Sequence, residues 1–503
     1  MAQQAEPRVS DLVLIVPFEN TSSAAGSEWI SEAFPEVLGA RLDLGPLFVF
    51  SRDDRLSAFD HLGLPASAKP SRATVLQVAQ ALDADFVIVG SYRVAGTTLT
   101  ARAQVMDVNN LRLSPELSES GPLEDLVALE TALAWDVLDH LKRTRNVSKA
   151  QFAAQFPPIR KDALESYVRG IVAGNQQEKI ARLKEAVRLD PGYALALLQL
   201  GKTYYNARDY ASASTWLAKI PVAQAHGNEA QFYLGLASFY AGQMDAAQAA
   251  FSSLASRLPL TEVTNNLGVV AARRGDRRAR GHFEKAVQTD PNDPDYHFNL
   301  AVELYREGNT QESARELRQV LAAQPDPEAN SFLDAINAGT APSRLPLERI
   351  KRNYDESGFR QLALEIDNAN EARLEKADAV THAAFHVQRG AELLEQGFLG
   401  EAEKQFREAV MLDSSNAGAH AGLARVLESF QNPSAARSEA LMSLKLKPSA
   451  DAYLLLARLD LAENDPAAAE QNVNHALQLE PGSAAAAALK RDIASALSKS
   501  PSR

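Results

Sequence analysis

From about residue 160 to its C-terminus, the chain repeats itself at intervals of about 34 residues. Each copy shows the apolar spacing of two amphipathic helices joined by a short polar turn. Most copies close on a proline, which lacks an amide donor and therefore ends the second helix; these are Pro191, Pro259, Pro291, Pro325, Pro448 and Pro481. Because one such unit cannot bury its own apolar face, the period predicts a stack of helical hairpins rather than an enzyme.

Small residues recur where the two helices of each copy should cross. The eighth position of a copy is small at Gly201, Gly235, Gly268, Ala301, Gly390, Ala424 and Ala457. A second small residue follows twelve positions later at Ala213, Ala247, Ala402, Ala436 and Ala469. Since the distance between packed helices depends on the side chains at the contact, this spacing predicts a close crossing within each hairpin.

This pattern resembles the tetratricopeptide repeat family. Eight copies are expected to start near residues 160, 194, 228, 261, 294, 383, 417 and 450, followed by a closing helix over 483–498. The resemblance implies a first block of about five repeats over 151–325 and a second of about three repeats with a capping helix over 381–503. Residues 326–380 break the period and are expected to form an irregular helical insert.

Within the insert, the sequence predicts a loop around 339–346 and then one or two helices. A basic cluster of Arg344, Arg349, Lys351 and Arg352 precedes Tyr354-Asp355-Glu356. Charges of both signs can pair locally there, which favours a solvated helix start. The alternative is a docking element for a partner or for the N-terminal region.

The first 150 residues follow a different pattern. Short runs rich in β-branched and aromatic residues predict strands at 12–18, 47–51, 85–93 and 97–106, and helical periodicity is present at 28–42, 72–82 and 123–141. This order predicts a small α/β domain with a mixed sheet over 1–150. The expected fold class of the whole chain is therefore α+β, with this domain followed by an all-α solenoid in two blocks.

Residues 10–145 are similar to the TolB-like N-terminal domain of bacterial regulators and envelope proteins. The similarity rests on Phe18-Glu19-Asn20 after the first strand, Ala81 to Asp85 leading into Val87, Gly90 and Ser91, and the stretch 101–107. It implies a domain that assembles or binds partners and carries no catalytic residues. The kinase, cyclase or DNA-binding output domains that accompany it elsewhere are missing from this sequence.

Composition restricts the function further. The net charge of −12 disfavours nucleic acid as a partner, because phosphate binding needs an electropositive face. The absence of cysteine excludes thiol catalysis, cysteine-ligated metals and disulfides. The sequence has no apolar run of a transmembrane segment's length, and its first four residues are not a signal peptide. The chain is either cytoplasmic or a mature envelope or periplasmic protein whose export signal was removed, and the second alternative is favoured.

Catalytic and cofactor motifs are missing from the sequence. It contains no nucleotide-binding glycine pattern, no G-x-S-x-G and no H-E-x-x-H. His382 and His386 are spaced for one helix face but lack an evident third metal ligand. Asp53, Asp54 and Asp60 fit a charged loop after the second strand. We therefore expect no enzymatic activity, no metal and no cofactor.

The remaining candidate site is the groove lined by the first helix of each repeat. In the first block, its expected residues are Leu198, Lys202, Tyr205, Phe232, Tyr233, Phe239, Asn265, Asn266, Phe298, Asn299 and Tyr305. Amides can both donate to and accept from a peptide backbone, and aromatic walls bury apolar side chains. The alternative is that several of these aromatics pack between hairpins. With Lys202 as the only cation, the expected ligand is an internal or apolar segment rather than a C-terminal carboxylate.

The matching positions of the second block are less aromatic and more mixed; they are Val387, Gln388, Leu394, Arg425, Glu428, Leu454, Arg458 and Leu461. Together the sequence predicts a non-enzymatic scaffold that binds peptide segments or partner proteins, in bacterial envelope assembly. The alternative is a regulatory protein whose N-terminal domain senses a small ligand. The exposed first-helix surfaces could equally close a homodimer.

Overall fold

The computed structural model describes residues 11–499 apart from 23–25, 43–46, 66, 67, 69, 145, 146, 223, 225, 259, 343, 356–377, 397, 398, 431 and 464. The chain divides into two compact units. The first comprises Met1–Ala247 and Asn353–Arg373, and the second comprises Gln248–Arg352 and Leu374–Arg503. None of the described helices is long and apolar enough to cross a membrane.

The first unit begins with a mixed sheet. Its strands are β1 (Asp11–Ile15), β2 (Glu19–Asn20), β3 (Leu47–Val49), β4 (Phe86–Ala95), β5 (Thr98–Asp107), β6 (Arg112–Leu113) and β7 (Leu117–Pro122). The strand β1 pairs in parallel with β3 and β4, whereas β5 pairs antiparallel with β4, β6 and β7. The fold class predicted from the sequence is therefore confirmed, since a mixed sheet precedes the helical repeats.

Helices cover both faces of this sheet. They are α1 (Ile30–Leu42), α2 (Arg52–His61), α3 (Arg72–Ala81), α4 (Leu126–His140) and α5 (Lys149–Ala153). Alternate residues of β1 serve the two faces: Leu12 and Leu14 pack with α2 and α3, and Val13 and Ile15 pack with α1 and α4. This period-two division explains why β1 is apolar at every position from Leu12 to Ile15 and is buried on both faces.

The two longest elements of this domain that the sequence prediction missed are α2 and β7. The charged stretch after the second strand is the helix α2 rather than a loop, because Ser51 and Asp54 form a reciprocal capping box at its start. The strand β7 was also missed, because its alternation of small and polar residues lacks the β-branched and aromatic enrichment used to recognise strands.

The N-terminal domain and the first repeats of this unit share one apolar core. The core cluster that contains Val13 and Phe34 continues without interruption to Leu164, Leu197 and Leu217. The predicted boundary at residue 150 thus falls inside a continuous packed region.

The repeats are eight helical hairpins at the eight expected places within the described residues. Their helices are α6 (Lys161–Ile171), α7 (Gln176–Leu189), α8 (Ala194–Asn206), α9 (Tyr210–Leu217), α10 (Gly227–Tyr240), α11 (Met244–Ala255), α12 (Thr261–Arg273), α13 (Ala279–Thr289), α14 (Pro294–Arg306), α15 (Thr310–Ala323), α17 (Ala379–Gln396), α18 (Leu399–Leu412), α19 (Ala417–Ser429), α20 (Pro433–Leu446), α21 (Ala450–Ala462) and α22 (Pro466–Leu479). A single helix, α16 (Pro327–Asn337), follows α15, and α23 (Ala484–Lys499) closes the chain.

Some helix contacts leave no room for a side chain at a glycine. At the predicted crossing within one hairpin, a Cβ atom at Gly268 would lie 2.6 Å from the Phe283 ring. Between two neighbouring hairpins, a Cβ atom at Gly422 would lie 2.1 Å from the Phe406 ring. Phe406 is 2% exposed and fills the space that Gly422 leaves open. The close crossings inferred from the sequence spacing therefore have a direct steric cause.

Replacing Gly422 with alanine is expected to destabilise the second unit. The new methyl group would push on the Phe406 ring at a cost of about 1–3 kcal/mol, which exceeds the gain of about 1 kcal/mol or less in helix propensity. Gly281→Ala on α13 is the control, because no atom lies within 4 Å of its Cβ position, and it should stabilise slightly. Urea denaturation followed by circular dichroism measures both, and equal midpoints would contradict the steric explanation.

Candidate peptide-binding groove

The face formed by α12 and α14 in the second unit holds an extended segment of the chain itself. Residues 345–352, which we call the strap, have neither helical nor strand structure and lie against these two helices. The sequence predicts a solvated helix start at this point. The structure instead has a non-helical segment that lies against α12 and α14. Any helix within 356–377 lies outside the described residues.

Three asparagines hold the backbone of the strap. Asn266 donates to the Lys351 carbonyl at 2.8 Å and accepts from the Lys351 amide at 2.8 Å. Asn299 does the same at Arg349, donating at 2.8 Å and accepting at 2.6 Å, and Asn265 donates to the same carbonyl at 3.1 Å. All three asparagines are fully buried, and Asn299 also donates to Asn265 at 2.7 Å. This amide ladder contacts only main-chain atoms of the strap, so its hydrogen bonds do not depend on the strap's side chains.

A second set of contacts holds the acidic side chain of the strap. The Glu348 side chain is 0% exposed, and its Oε2 lies 2.8 Å from Nε of Arg273. Arg306 forms an ion pair with Oε1 of the same carboxylate. Both arginine side chains are partly exposed, and Arg306 also pairs with Glu303 at 3.1 Å. Glu348 is therefore the fully buried member of a small ion-pair cluster.

The basic side chains of the strap meet acidic residues of the repeats. The Arg349 guanidinium stacks 3.5 Å from the centroid of the Phe298 ring and forms an ion pair with Asp326 at 2.7 Å. Lys351 Nζ lies 2.7 Å from carboxylate oxygens of both Asp293 and Asp295. Burial alone would lower the pKa of Lys351, but hydrogen bonds to these two carboxylates raise it by more, so the ammonium group stays charged. The arrangement can recognise alternating charges along an extended chain.

Two of the groove residues predicted in the first unit, Lys202 and Leu198, have their contacts within that unit. Lys202 Nζ lies 2.8 Å from Glu229, and burial, which lowers the pKa of Lys202, is outweighed by this carboxylate, so the pKa is raised. Lys202 is thus already paired, and it also lies 3.6 Å from Asp53 of α2. Leu198 is 1% exposed and belongs to the apolar core, where it offers no surface to a ligand.

The predicted aromatic residues of this unit pack mainly on one another. The Tyr205 and Tyr233 ring centroids lie 5.5 Å apart, and Phe239 contacts Tyr240 at 5.4 Å. Packing between neighbouring hairpins, the alternative left open by the sequence, accounts for the contact between Tyr205 and Tyr233, whereas Phe239 and Tyr240 are consecutive residues of α10.

Two further predicted aromatics contact elements of the insert or its flank. Phe232 is fully buried, and its ring centroid lies 5.2 Å from that of Tyr354. In the second unit, Tyr305 packs 5.2 Å from Phe332 of α16. Phe298 faces Arg349, as described above. The roles of Arg273, Arg306 and the strap were not predicted from the sequence. The only available signal for them was the break in the repeat period together with its basic cluster.

The corresponding face of the second block has a small cavity of 180 Å³. Val387, Arg425, Asp451 and Leu455 are among the residues that line it. Of the other predicted residues in this block, Glu428 and Arg458 pair with each other at 2.7 Å, Leu454 is buried, Gln388 bonds to Glu392, and Leu394 and Leu461 pack at the edges of apolar clusters. Val387 and Arg425 are therefore the predicted residues of this block that line the cavity.

Buried histidines join the two helices of some hairpins. His297 Nδ1 lies 2.6 Å from the Glu316 carboxylate and Nε2 lies 3.0 Å from the Pro291 carbonyl. His420 makes the same pair of contacts with Glu439 and Ser414. Since both ring nitrogens of His297 face acceptors, the protonated ring satisfies both of them, and the hydrogen bond to Glu316 raises its pKa above the ordinary 6.5.

The raised pKa of His297 makes stability depend on pH. Because the folded pKa lies above the unfolded one, the stabilisation is complete below about pH 6.5 and is lost as the pH rises through the folded value. Glu316→Gln should therefore weaken the fall in stability between pH 6 and 8.5. Thermal unfolding of both proteins across that range measures the effect, and parallel curves would contradict the assignment.

Comparison with known protein families agrees with the helical architecture. A tetratricopeptide repeat model matches residues 177–237, and a second tetratricopeptide repeat model matches residues 276–330 and 387–452. The chain therefore contains tetratricopeptide repeats, which are generally a non-enzymatic protein-interaction fold, and the predicted repeat family is confirmed. The matched segments lie outside residues 1–150, where the TolB-like resemblance stays a prediction. No curated protein matches the chain.

Several solved structures are similar to parts of the chain. A crystal structure of MamA is 24% identical, covers 30% of this chain and 89% of that chain, and has a TM-score of 0.29. The first tetratricopeptide repeat domain of Spaghetti (RPAP3), bound to an HSP90 peptide, is 21% identical, with 24% and 96% covered and a TM-score of 0.23. YrrB, described as having an unusual peptide-binding site, is 19% identical, with 35% and 92% covered and a TM-score of 0.31. At these scores, the similarities do not identify a ligand for this chain.

Proposed function

We propose that this protein is a non-enzymatic scaffold that holds extended peptide segments of partner proteins on the first-helix faces of its repeats. The observation that carries the proposal is the amide ladder, in which Asn265, Asn266 and Asn299 hold a main chain in extended form. Fully buried amides that bind both backbone groups of a residue are suited to any extended chain. The second block has the same kind of face, with a cavity and without a strap among its described residues.

We further propose that the scaffold works in the bacterial envelope, with a TolB-like N-terminal domain that contributes to assembly. Support comes from the residue pattern of 10–145 and from the mixed sheet, in which parallel pairs around β1 adjoin the antiparallel pairs of β5. Fractionation of the native cells should recover the protein with the envelope. Recovery in the cytosol alone would overturn this part of the proposal and leave the scaffold function intact.

Site-specific photocrosslinking in the native cells tests the scaffold function. A benzoylphenylalanine in place of Arg425 faces the second-block cavity, whereas one in place of Arg407 lies exposed on α18 outside the residues that line it. We expect a defined protein adduct from position 425 and none from position 407. The same products from both positions, or none from either, would count against partner binding on this face.

A further inference from the structure

The occupied groove indicates the chemistry of the segments that it selects. We propose that the face of α12 and α14 binds, in trans, an extended peptide with an acidic side chain followed one and three residues later by basic side chains. The strap is then the in-cis occupant that such a peptide replaces. This inference rests on the proposed scaffold function and specifies its ligand class.

The acidic position has the strictest requirement. The Glu348 side chain is fully buried, and its carboxylate forms ion pairs with both Arg273 and Arg306. A neutral side chain at this position would remove the carboxylate that the two guanidinium groups share, although Arg306 would keep its pair with Glu303 at 3.1 Å. A basic side chain would add a third positive charge. Because removing one partner of a buried ion pair is strongly unfavourable, the pocket discriminates for a carboxylate.

The basic positions are selected by a cluster of carboxylates on the other side of the backbone. Arg349 contacts Asp295, Asp326 and Glu328 at 2.7–3.2 Å, and Lys351 contacts Asp293 and Asp295. The hydrogen bond from Arg349 lowers the pKa of Asp326, so this carboxylate remains ionised at neutral pH. An extended peptide lacking the two cations would leave the carboxylates uncompensated. Stacking on Phe298 adds a preference for arginine at the first basic position.

The strap is held by contacts that a free peptide can reproduce. Its Leu347 side chain is 46% exposed, and Ile350 is only half-buried, so the strap contributes little apolar burial at these positions. The contacts that hold it are main-chain hydrogen bonds, ion pairs and the packing of Leu345 against the apolar cluster of Phe298 and Phe332, and a peptide that includes Leu345 can make all of them. The strap's advantage over a free peptide is that it is covalently attached, which raises its local concentration at the groove. Weakening one strap contact should therefore admit a competing peptide.

A labelling experiment on the full chain tests this proposal. Because the sequence contains no cysteine, Leu347→Cys provides a unique attachment point for a spin label on an exposed strap residue. The label is placed in a chain that also carries Glu348→Ala. The probe is the synthetic octapeptide LPLERIKR, which has the sequence of residues 345–352, and the control peptide LPLKRIKR differs only in the acidic residue.

We expect fluorescein-labelled LPLERIKR to bind saturably by anisotropy and the unlabelled peptide to mobilise the spin label over the same concentrations. The lysine-containing control should bind at least tenfold more weakly. Equal binding of the two peptides, absence of binding, or binding without label mobilisation would each overturn the proposal. If Glu348→Ala unfolds the second unit, the chain that carries only the spin-labelled Leu347→Cys replaces it in the experiment. In that chain the peptide LPLERIKR should mobilise the spin label at concentrations at least tenfold higher than those expected for the Glu348→Ala chain.

The result can be separated from a failure of the scaffold function. An adduct at position 425 together with no binding of LPLERIKR would leave the scaffold standing and refute the ligand class assigned to α12 and α14. Binding of LPLERIKR together with no adduct at position 425 would place peptide recognition in the first block only.

Discussion

Asn299→Asp should release the strap and lower the free energy of unfolding of the second unit by about 2–6 kcal/mol. The amide nitrogen of Asn299 donates to the Arg349 carbonyl and to Asn265 Oδ1. Aspartate places an oxygen in that position, so Asn265 Oδ1 loses this donor, and the Arg349 carbonyl keeps only the 3.1 Å bond from Asn265 and faces a carboxylate oxygen. The cost is about 1–3 kcal/mol for each acceptor. The substitution changes shape very little, which separates these polar effects from packing.

Trypsin digestion of the native chain measures this release, because the strap contains Arg349, Lys351 and Arg352 as cleavage sites. We expect cleavage within the strap to become at least tenfold faster in Asn299→Asp, since 1.4 kcal/mol already corresponds to a tenfold change in the open population. Asn330→Asp on the exposed surface of α16 is the matched control and should leave the rate close to that of the unmodified chain. Unchanged cleavage in Asn299→Asp would mean that the amide ladder does not hold the strap.

Glu32→Ala should destabilise the first unit by about 3–5 kcal/mol. Glu32 on α1 forms ion pairs with Arg55 and with Arg52, and the Arg55 side chain is 4% exposed. Without the Glu32 carboxylate, the buried Arg55 guanidinium loses its ion pair and keeps the hydrogen bond that Nη1 donates to the Ile15 carbonyl at 3.1 Å. A buried cation without its counterion is much costlier than the loss of an exposed pair.

Urea unfolding followed by tryptophan fluorescence measures this effect in the right unit, because Trp29, Trp135 and Trp216 are the only tryptophans of the chain and all belong to the first unit. Adding Arg55→Met to Glu32→Ala should restore most of the lost stability, because it removes the uncompensated charge. Glu185→Ala, which breaks the exposed pair with Arg188, serves as a control with little expected change. A similar midpoint shift in the control, or no rescue by Arg55→Met, would contradict the buried-charge explanation.

Local patterns in the sequence were sufficient to predict the repeats. The eight hairpins lie where the 34-residue period placed them, because helix periodicity, small residues such as Gly268 and the terminal prolines act over short distances along the chain. The mixed sheet followed from the same kind of local signal. The helix α2 was missed because acidic residues at its start were interpreted as a loop, although Ser51 and Asp54 form a capping box.

The candidate site could be predicted only in part. Asn265, Asn266 and Asn299 were expected to bind a peptide backbone, since their residue type and repeat position point to that role, and in the structure they hold the backbone of residues 349–351. No local pattern indicates that the peptide comes from the same chain. That contact joins residues 50 to 85 positions apart, and neither partner shows a periodic pattern relating it to the other.

The sequence by itself therefore determined the helices, their pairing into hairpins and the residue types on each first-helix face, because these depend on interactions within about one repeat. Only the tertiary structure decided that the α12 and α14 face is occupied by residues 345–352, and that Glu348 is fully buried between Arg273 and Arg306. The physical reason is that an extended segment has no internal hydrogen bonds that would reveal its conformation. Its position depends on groups that only the folded chain brings together.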